Sequence, residues 1–164
     1  MENLWSLKAS EISKLYLSNE ISLDEIINSV EERFVKVNPK INAIPESTFE
    51  YARKQAKLLD NNKKINEPLG CLAGVPVTVK INTDQIGFAS TNGLRLNKSL
   101  IAHKNSTVVD NLEKAGALII GRTNTPAFSM RWFTNNSLHG HTLNPHNKRI
   151  TPGGSSGGAA SATA

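Results

Sequence analysis

The segment GVPVTVK, residues 74–80, is dominated by β-branched side chains, which favour an extended strand. Pro76 indicates that the strand begins there or lies at a sheet edge. Thr107–Ala115 follows with helical spacing and Ser106 as a candidate N-cap, and Ala117–Ile120 is an apolar run typical of a buried strand. Strand, helix and strand in this order form a βαβ unit, so we predict an α/β protein.

The part of the chain before this unit, residues 1 to about 62, is predicted to be helical. Ser22–Glu25 (SLDE) is a capping box, and the helix after it is expected to stop at the pair Asn38–Pro39. A shorter helix precedes it, and Phe49–Leu59 is predicted as an amphipathic helix with a charged outer face. Ile41–Ile44 is interpreted as a short strand.

Composition limits the classes of protein to which the chain can belong. The net charge is +5, but the basic residues are spread along the 164 positions without an interleaved aromatic stripe. We therefore expect no nucleic-acid partner. No apolar run approaches the ~18 residues of a membrane span, and no signal peptide is evident, so we expect no membrane association and a cytoplasmic location. Cys71 is the only cysteine, which excludes an internal disulfide, and we interpret it as a small buried hydrophobe.

The distribution of carboxylates restricts the chemistry. After Glu113 the remaining 51 residues contain no Asp or Glu. A serine assisted by a lysine is then the simplest general-base arrangement in that part of the chain, and Ser–Lys variants of the catalytic triad are known. His139 and His141 have no nearby cysteine or carboxylate partner, so we expect neither a metal site nor a cofactor.

Two features can supply such chemistry. TPGGSSGG, residues 151–158, surrounds Ser155 and Ser156 with glycines that allow unusual backbone conformations, although a flexible linker has a similar composition. Lys80 ends the predicted strand, where α/β folds place their sites, although an isolated lysine there is usually solvated. To act as a base near neutral pH, its amine needs a pKa well below about 10.4.

Four segments of the chain occur in the order and spacing of one known family: residues 74–80, 115–124, 143–145 and 151–158. The chain therefore resembles the N-terminal portion of an amidase-signature protein over residues 1–164. The resemblance implies a mixed β-sheet flanked by helices within a single domain. Residues 1–62 would be its helical layer and residues 63–164 the start of its α/β core.

The resemblance also implies roles for individual residues. Lys80 matches the lysine that accepts the proton, and Ser155 matches the relay serine, which lies on a cis peptide. The attacking serine of the family lies a couple of dozen residues further on, whereas this sequence ends at Ala164, nine residues after Ser155. The nucleophile is thus absent from this chain, which we expect to be inactive alone. The supporting loop comprises Gly153, Gly154, Ser156, Gly157 and Gly158.

The activity implied is hydrolysis of the C–N bond of a small carboxamide, without a cofactor. Two alternatives stay open: the glutaminase-like subunit of a tRNA-dependent amidotransferase, and a non-catalytic remnant whose loop binds an anion. Ile81 stands where many family members have Asp, and Ala127 where an acid is common. Residues 125–133 look more like those of the stand-alone amidases. A homodimer is left open for the complete protein.

Overall fold

The computed structural model describes residues 3–164. The helices in this part of the chain are α1 (Ala9–Leu17), α2 (Leu23–Ile41), α3 (Phe49–Lys64), α4 (Thr107–Lys114) and α5 (Gly157–Thr163). The strands are β1 (Glu46–Ser47), β2 (Pro76–Lys80), β3 (Leu118–Thr123), β4 (Asn135–Asn136) and β5 (Gly140–His141).

The main sheet has the strand order β1-β3-β2. β1 runs antiparallel to β3. β2 and β3 run parallel. The amide of Leu118 donates to the carbonyl oxygen of Val75 at one end of the pair, and the amide of Ile81 donates to that of Thr123 at the other. The sheet is therefore mixed, and the predicted βαβ unit is confirmed, with α4 connecting β2 to β3. The prediction of an α/β fold is confirmed as well.

The chain forms two compact units, each discontinuous in sequence. The first contains the residues up to Lys36 together with Thr48–Val77 and Asp110–Ile120. The second contains Val37–Ser47, Thr78–Val109 and Gly121–Ala164. The predicted single domain, with a helical layer over residues 1–62 and the start of an α/β core over residues 63–164, stays a prediction.

The first unit contains a hydrophobic core between its helices and the start of β3. Burial of these side chains supplies most of the driving force for packing the helices. The capping box of α2 is confirmed, since the amide of Ser22 donates to Glu25 at 2.8 Å and the amide of Glu25 to Ser22 Oγ at 3.2 Å. The core residues are Leu4, Ile12, Tyr16, Ile21, Leu23, Ile26, Ile27, Phe49, Ala52, Ala56, Leu59, Ala73, Leu118 and Ile120.

Two predictions about the end of α2 are wrong. The helix continues through Pro39 to Ile41, and its hydrogen bonds resume beyond the proline, where the amide of Asn42 donates to Asn38 O at 2.7 Å. No strand forms over Ile41–Ile44, since Asn42 has a left-handed φ of 49° and the next two amides donate to the side chain of Asn38 at 3.0 and 2.9 Å. The strand begins later, at Glu46.

The N-cap predicted for α4 is confirmed. Ser106 is the N-cap of α4, with its Oγ accepting from the amide of Val109 at 3.4 Å. Cys71 is exposed, because it lies in the turn before β2, and its interpretation as a buried hydrophobe is wrong. Within residues 3–164, no helix is both long and apolar enough to cross a membrane.

The second unit contains few regular elements and many loops. Its hairpin β4–β5 pairs Asn135 with His141 and Asn136 with Gly140. Lys80 at the end of β2 and the loop that leads into α5 both belong to this unit. It therefore carries all the residues singled out from the sequence as candidate site residues.

Candidate active site

Lys80 and Ser155 are in direct contact although they are 75 residues apart in sequence. Lys80 Nζ donates to Ser155 Oγ at 2.9 Å and lies 3.2 Å from Ser156 Oγ. Lys80 and Ser155 are half-buried, whereas Ser156 is exposed. The structure thus brings together the lysine and both serines predicted from the sequence, and their catalytic roles stay predictions.

The environment of Lys80 destabilises its charged form. Desolvation by burial lowers the pKa of the Lys80 amine below its usual value. Among the described residues, the ion pairs do not include Lys80. Ile81, which stands where many family members have Asp, is fully buried and brings no carboxylate to the site. A lysine without an anionic partner loses its proton at a lower pH than a lysine paired with a carboxylate. The neutral amine can then accept a proton.

Gly153 and Gly154 are glycines for different reasons. Gly153 has a left-handed φ of 89°, and no atom lies within 4 Å of a Cβ built there. A Cβ on Gly154 would lie 2.5 Å from Arg131 O and 2.7 Å from Phe133 N. The peptide bond from Gly154 to Ser155 is cis, as the family resemblance implied. The first glycine thus provides backbone freedom, and the second allows a close approach.

The glycines after the serines also allow close packing. A Cβ on Gly157 would overlap Thr134 Oγ1, and one on Gly158 would lie 2.5 Å from Asn124 O. Thr134 holds both sides of the loop, since its hydroxyl donates to Gly153 O at 3.1 Å and accepts from the amide of Gly157 at 3.0 Å. The loop is therefore a packed structure, which contradicts a flexible linker.

A buried network of asparagine and threonine side chains lies behind the loop, and sequence reasoning missed it. The side-chain nitrogen Nδ2 of Asn136 donates to Asn124 Oδ1 and to Thr125 O, both at 2.7 Å. Asn124 Nδ2 in turn donates to Thr142 Oγ1 at 3.0 Å. Asparagines are typical of loops, so their number in residues 121–150 does not by itself indicate a buried network. The available signal was that Asn124 and Thr125 directly continue a buried strand.

Arg122 fixes the backbone that follows Lys80. Its guanidinium is fully buried and donates to the carbonyl oxygens of Ile81, Thr83 and Ala89 at 3.2, 3.3 and 3.0 Å. Its Nε lies 3.0 Å from Glu46 Oε2, an ion-pair distance at which the N–H is not aligned for a hydrogen bond. Sequence reasoning did not single out Arg122, since nothing in its neighbours indicates that a charge is buried there.

His139 makes a polar contact outside the pair of Lys80 and Ser155. His139 Nε2 lies 3.4 Å from Thr91 Oγ1, and burial together with Arg122 lowers the pKa of the His139 imidazole. Over residues 3–164 no three His, Cys, Asp or Glu side chains cluster closely enough to hold a metal ion. The hydrogen bond between Lys80 and Ser155 supports proton transfer between these two groups.

The comparison with protein families agrees with this arrangement. The model of the family described as Amidase matches residues 25–164, which include Lys80 and the whole loop around Ser155. The chain belongs to the amidase family. The resemblance inferred from the four sequence segments is thus confirmed.

Similar proteins include enzymes with different substrates. The chain is 45% identical over 98% of its length to an indoleacetamide hydrolase of Bradyrhizobium diazoefficiens, covering 31% of that protein. It is 41% identical over 99% of its length to a glutamyl-tRNA(Gln) amidotransferase subunit of Fusobacterium nucleatum, covering 33% of it. The crystal structure of a bacterial aryl acylamidase superposes with a TM-score of 0.89 at 34% identity, covering 94% of this chain and 32% of that one. The chain spans about a third of the length of the curated relatives it matches.

Proposed function

We propose that the complete protein to which these residues belong hydrolyses the C–N bond of a small carboxamide, with Lys80 as the base and Ser155 as the proton relay. The observation that carries the proposal is the 2.9 Å hydrogen bond between Lys80 Nζ and Ser155 Oγ. The lowered pKa of the Lys80 amine supports it, because a base must be neutral in order to accept a proton. We further propose that the protein acts in the cytoplasm.

The reaction begins with a serine outside these 164 residues. Its Oγ forms a bond to the amide carbon while its proton passes to Ser155 Oγ and the proton of Ser155 passes to the neutral Lys80 amine. The C–N bond then breaks, and the departing ammonia or amine takes the proton back through Ser155. Water hydrolyses the resulting ester by the same route. The residues of this chain move protons only, so we expect the chain alone to be inactive.

The proposal is tested by Lys80→Ala in the complete protein. We expect loss of amide turnover at neutral pH with an unchanged thermal unfolding curve, because Lys80 is only half-buried and its side chain forms no ion pair among the described residues. Lys98→Ala removes an exposed lysine of the same unit and is the matched control. Undiminished turnover by the Lys80→Ala protein would disprove the proposal.

Apolar side chains next to the loop favour an amide with an apolar substituent. Trp132 and Met130 are 88% and 83% exposed, and the backbone from Arg131 to Phe133 packs directly against Gly154. Two similar proteins are named for aromatic amides, the indoleacetamide hydrolase and the aryl acylamidase. We propose an aromatic or otherwise apolar carboxamide as the substrate. Equal turnover of indoleacetamide and acetamide would contradict this choice.

A second candidate is supported by the 41% identity to a glutamyl-tRNA(Gln) amidotransferase component. In that case glutamine would be the substrate, and the ammonia released would pass to a partner protein. Glutamine-dependent ammonia transfer in the presence of a partner would favour this candidate, whereas turnover of apolar amides by the protein alone favours the first.

The remnant hypothesis is tested by the coding sequence beyond Ala164. An in-frame Gly-Gly-Ser segment at the family spacing would supply the nucleophile that the proposed reaction needs. A stop codon directly after Ala164 would favour a non-catalytic remnant.

A further inference from the structure

The strand end that carries Lys80 and the loop that carries Ser155 are connected in two ways. The direct connection is the hydrogen bond between Lys80 and Ser155. The second is a chain of side chains that starts two residues after Lys80. Asn82 Nδ2 lies 3.0 Å from Ser129 Oγ, and Ser129 Oγ lies 2.8 Å from Thr125 Oγ1. Thr125 Oγ1 donates to Ser155 O at 3.1 Å.

The hydrogen bonds from Asn82 to Ser155 all donate in one direction. The carbonyl oxygen of Ser155 can only accept, so the single hydroxyl proton of Thr125 is committed to it. The 2.8 Å contact between Thr125 and Ser129 then requires the hydroxyl proton of Ser129. Donation therefore runs from Asn82 through Ser129 and Thr125 to Ser155.

Asn92 is a second acceptor for the hydroxyl proton of Ser129. Ser129 Oγ donates to Asn92 Oδ1 at 3.0 Å and lies 2.8 Å from Thr125 Oγ1, so its single proton is shared between these two acceptors. Ser129 itself accepts from Asn82 Nδ2.

We propose that Thr125 and Ser129 are positioning residues that hold Ser155 in reach of Lys80 throughout the reaction. The inference rests on the proposed function and deepens it. The direct bond changes as the reaction proceeds, because charged Lys80 donates to Ser155 and neutral Lys80 accepts from it. The second connection contains only hydroxyl and amide groups, which do not titrate near neutral pH, so it is unchanged when the proton moves.

Burial makes this connection hard to replace. Thr125 is fully buried, and Ser129 is half-buried. The Thr125 hydroxyl that donates to Ser155 O is therefore shielded from water. Removing the hydroxyl would leave that carbonyl without this donor and allow the serine to move away from Lys80. A small displacement of a relay group is enough to slow proton transfer strongly.

The test compares Thr125→Val with Thr125→Ser in the complete protein. Valine keeps the shape of threonine without the hydroxyl, and serine keeps the hydroxyl. We expect Thr125→Val to lower kcat by about tenfold or more with little change in KM. Thr125→Ser should restore most of the lost turnover. Ser129→Ala should behave like Thr125→Val.

The pH profile distinguishes positioning from a general effect on folding. In Thr125→Val the loss of the bond from Lys80 to Ser155 removes a group that stabilises the charged lysine, so the pKa of Lys80 falls. The limb of the profile that reports Lys80 should then move to lower pH while the plateau drops. A merely structural role would lower the plateau without moving the limb. An unmoved limb, a wild-type kcat, or equal losses in the valine and serine variants would overturn the proposal.

Asn92→Asp tests the proton order. A carboxylate accepts more strongly than an amide oxygen, so it would draw the shared proton of Ser129 away from Thr125 and lower the plateau as Ser129→Ala does. A wild-type plateau in Asn92→Asp would contradict the assigned direction. These outcomes are separable from the proposed function: if Lys80→Ala is inactive while Thr125→Val is normal, only the positioning role fails, and if Lys80→Ala is active, the proposed function fails.

Discussion

Arg122 and Glu46 form an ion pair in which the cation is fully buried, with Arg122 Nε 3.0 Å from Glu46 Oε2. Burial raises the pKa of the Glu46 carboxyl more than Arg122 lowers it. The attraction to Arg122 therefore does not compensate the cost of desolvating the Glu46 carboxylate, as is common for buried ion pairs. Its two members should contribute very differently to stability.

Arg122→Met should destabilise the protein strongly. The substitution removes three hydrogen bonds to carbonyl oxygens and leaves Glu46 without its cation. We expect a loss of roughly 3–5 kcal/mol in the free energy of unfolding, measured by chemical denaturation. Arg149→Met, at an exposed arginine, is the control and should change it by less than about 0.5 kcal/mol. Equal stability of the two variants would refute the anchoring role of Arg122.

Glu46→Gln should change the pH dependence of stability rather than abolish the fold. Because the pKa of Glu46 is raised above its ordinary value of 4.5, the folded state keeps a proton there that the unfolded chain has lost. The free energy of unfolding contributed by Glu46 therefore falls as pH rises from about 4.5 through the raised pKa. The free energy of unfolding, measured by denaturation at several pH values in this range, should depend differently on pH in the wild type and in Glu46→Gln. The same pH dependence in both proteins would contradict the burial of a titrating carboxyl.

Gly154→Ala should be more damaging than Gly153→Ala. A Cβ on Gly154 would lie 2.5 Å from Arg131 O, a backbone atom that cannot move cheaply, whereas the space at Gly153 is open and only its φ of 89° is unfavourable. We expect Gly153→Ala to cost about 1–2 kcal/mol and Gly154→Ala more. Urea denaturation of both variants checks the order, and the reverse order would contradict the packing of the loop.

Ser156→Ala should slow turnover less than Ser155→Ala. Ser156 is exposed and its Oγ is the more distant partner of Lys80, at 3.2 Å, while Ser155 is half-buried at 2.9 Å. We expect Ser155→Ala to abolish amide hydrolysis by the complete protein and Ser156→Ala to retain a measurable rate. Steady-state kinetics decide between them, and an inactive Ser156→Ala beside an active Ser155→Ala would exchange the two roles.

The features that could be predicted from the sequence are mostly local. The capping box of Ser22 and Glu25, the N-cap at Ser106 and the strand over residues 76–80 depend on neighbouring residues, and the structure contains all three. The contact between Lys80 and Ser155 is long-range, and it was expected because both lie in segments that resemble one family.

The features that were missed depend on hydrogen bonds made by side chains outside the regular pattern of helices and strands. Asn38 accepts from two amides after α2, which prevents the strand expected over Ile41–Ile44. Arg122 reaches three carbonyl oxygens that lie 33 to 41 residues away in sequence. Asn136 bonds to Asn124 and Thr125, which are 12 and 11 residues away, so this network forms only once the intervening loop has folded. Periodicity and propensity carry no information about such bonds.

The central claim, that Lys80 is a base held against Ser155, is tested most directly by the titration of Lys80 itself. The ¹³Cε resonance of Lys80 in the complete protein, assigned by its absence in Lys80→Arg, can be followed by NMR against pH. We predict a pKa below that of the exposed lysines and a further decrease in Ser155→Ala, because the hydroxyl that accepts from the charged amine is lost. A Lys80 that titrates like the exposed lysines and is unchanged by Ser155→Ala would contradict the account.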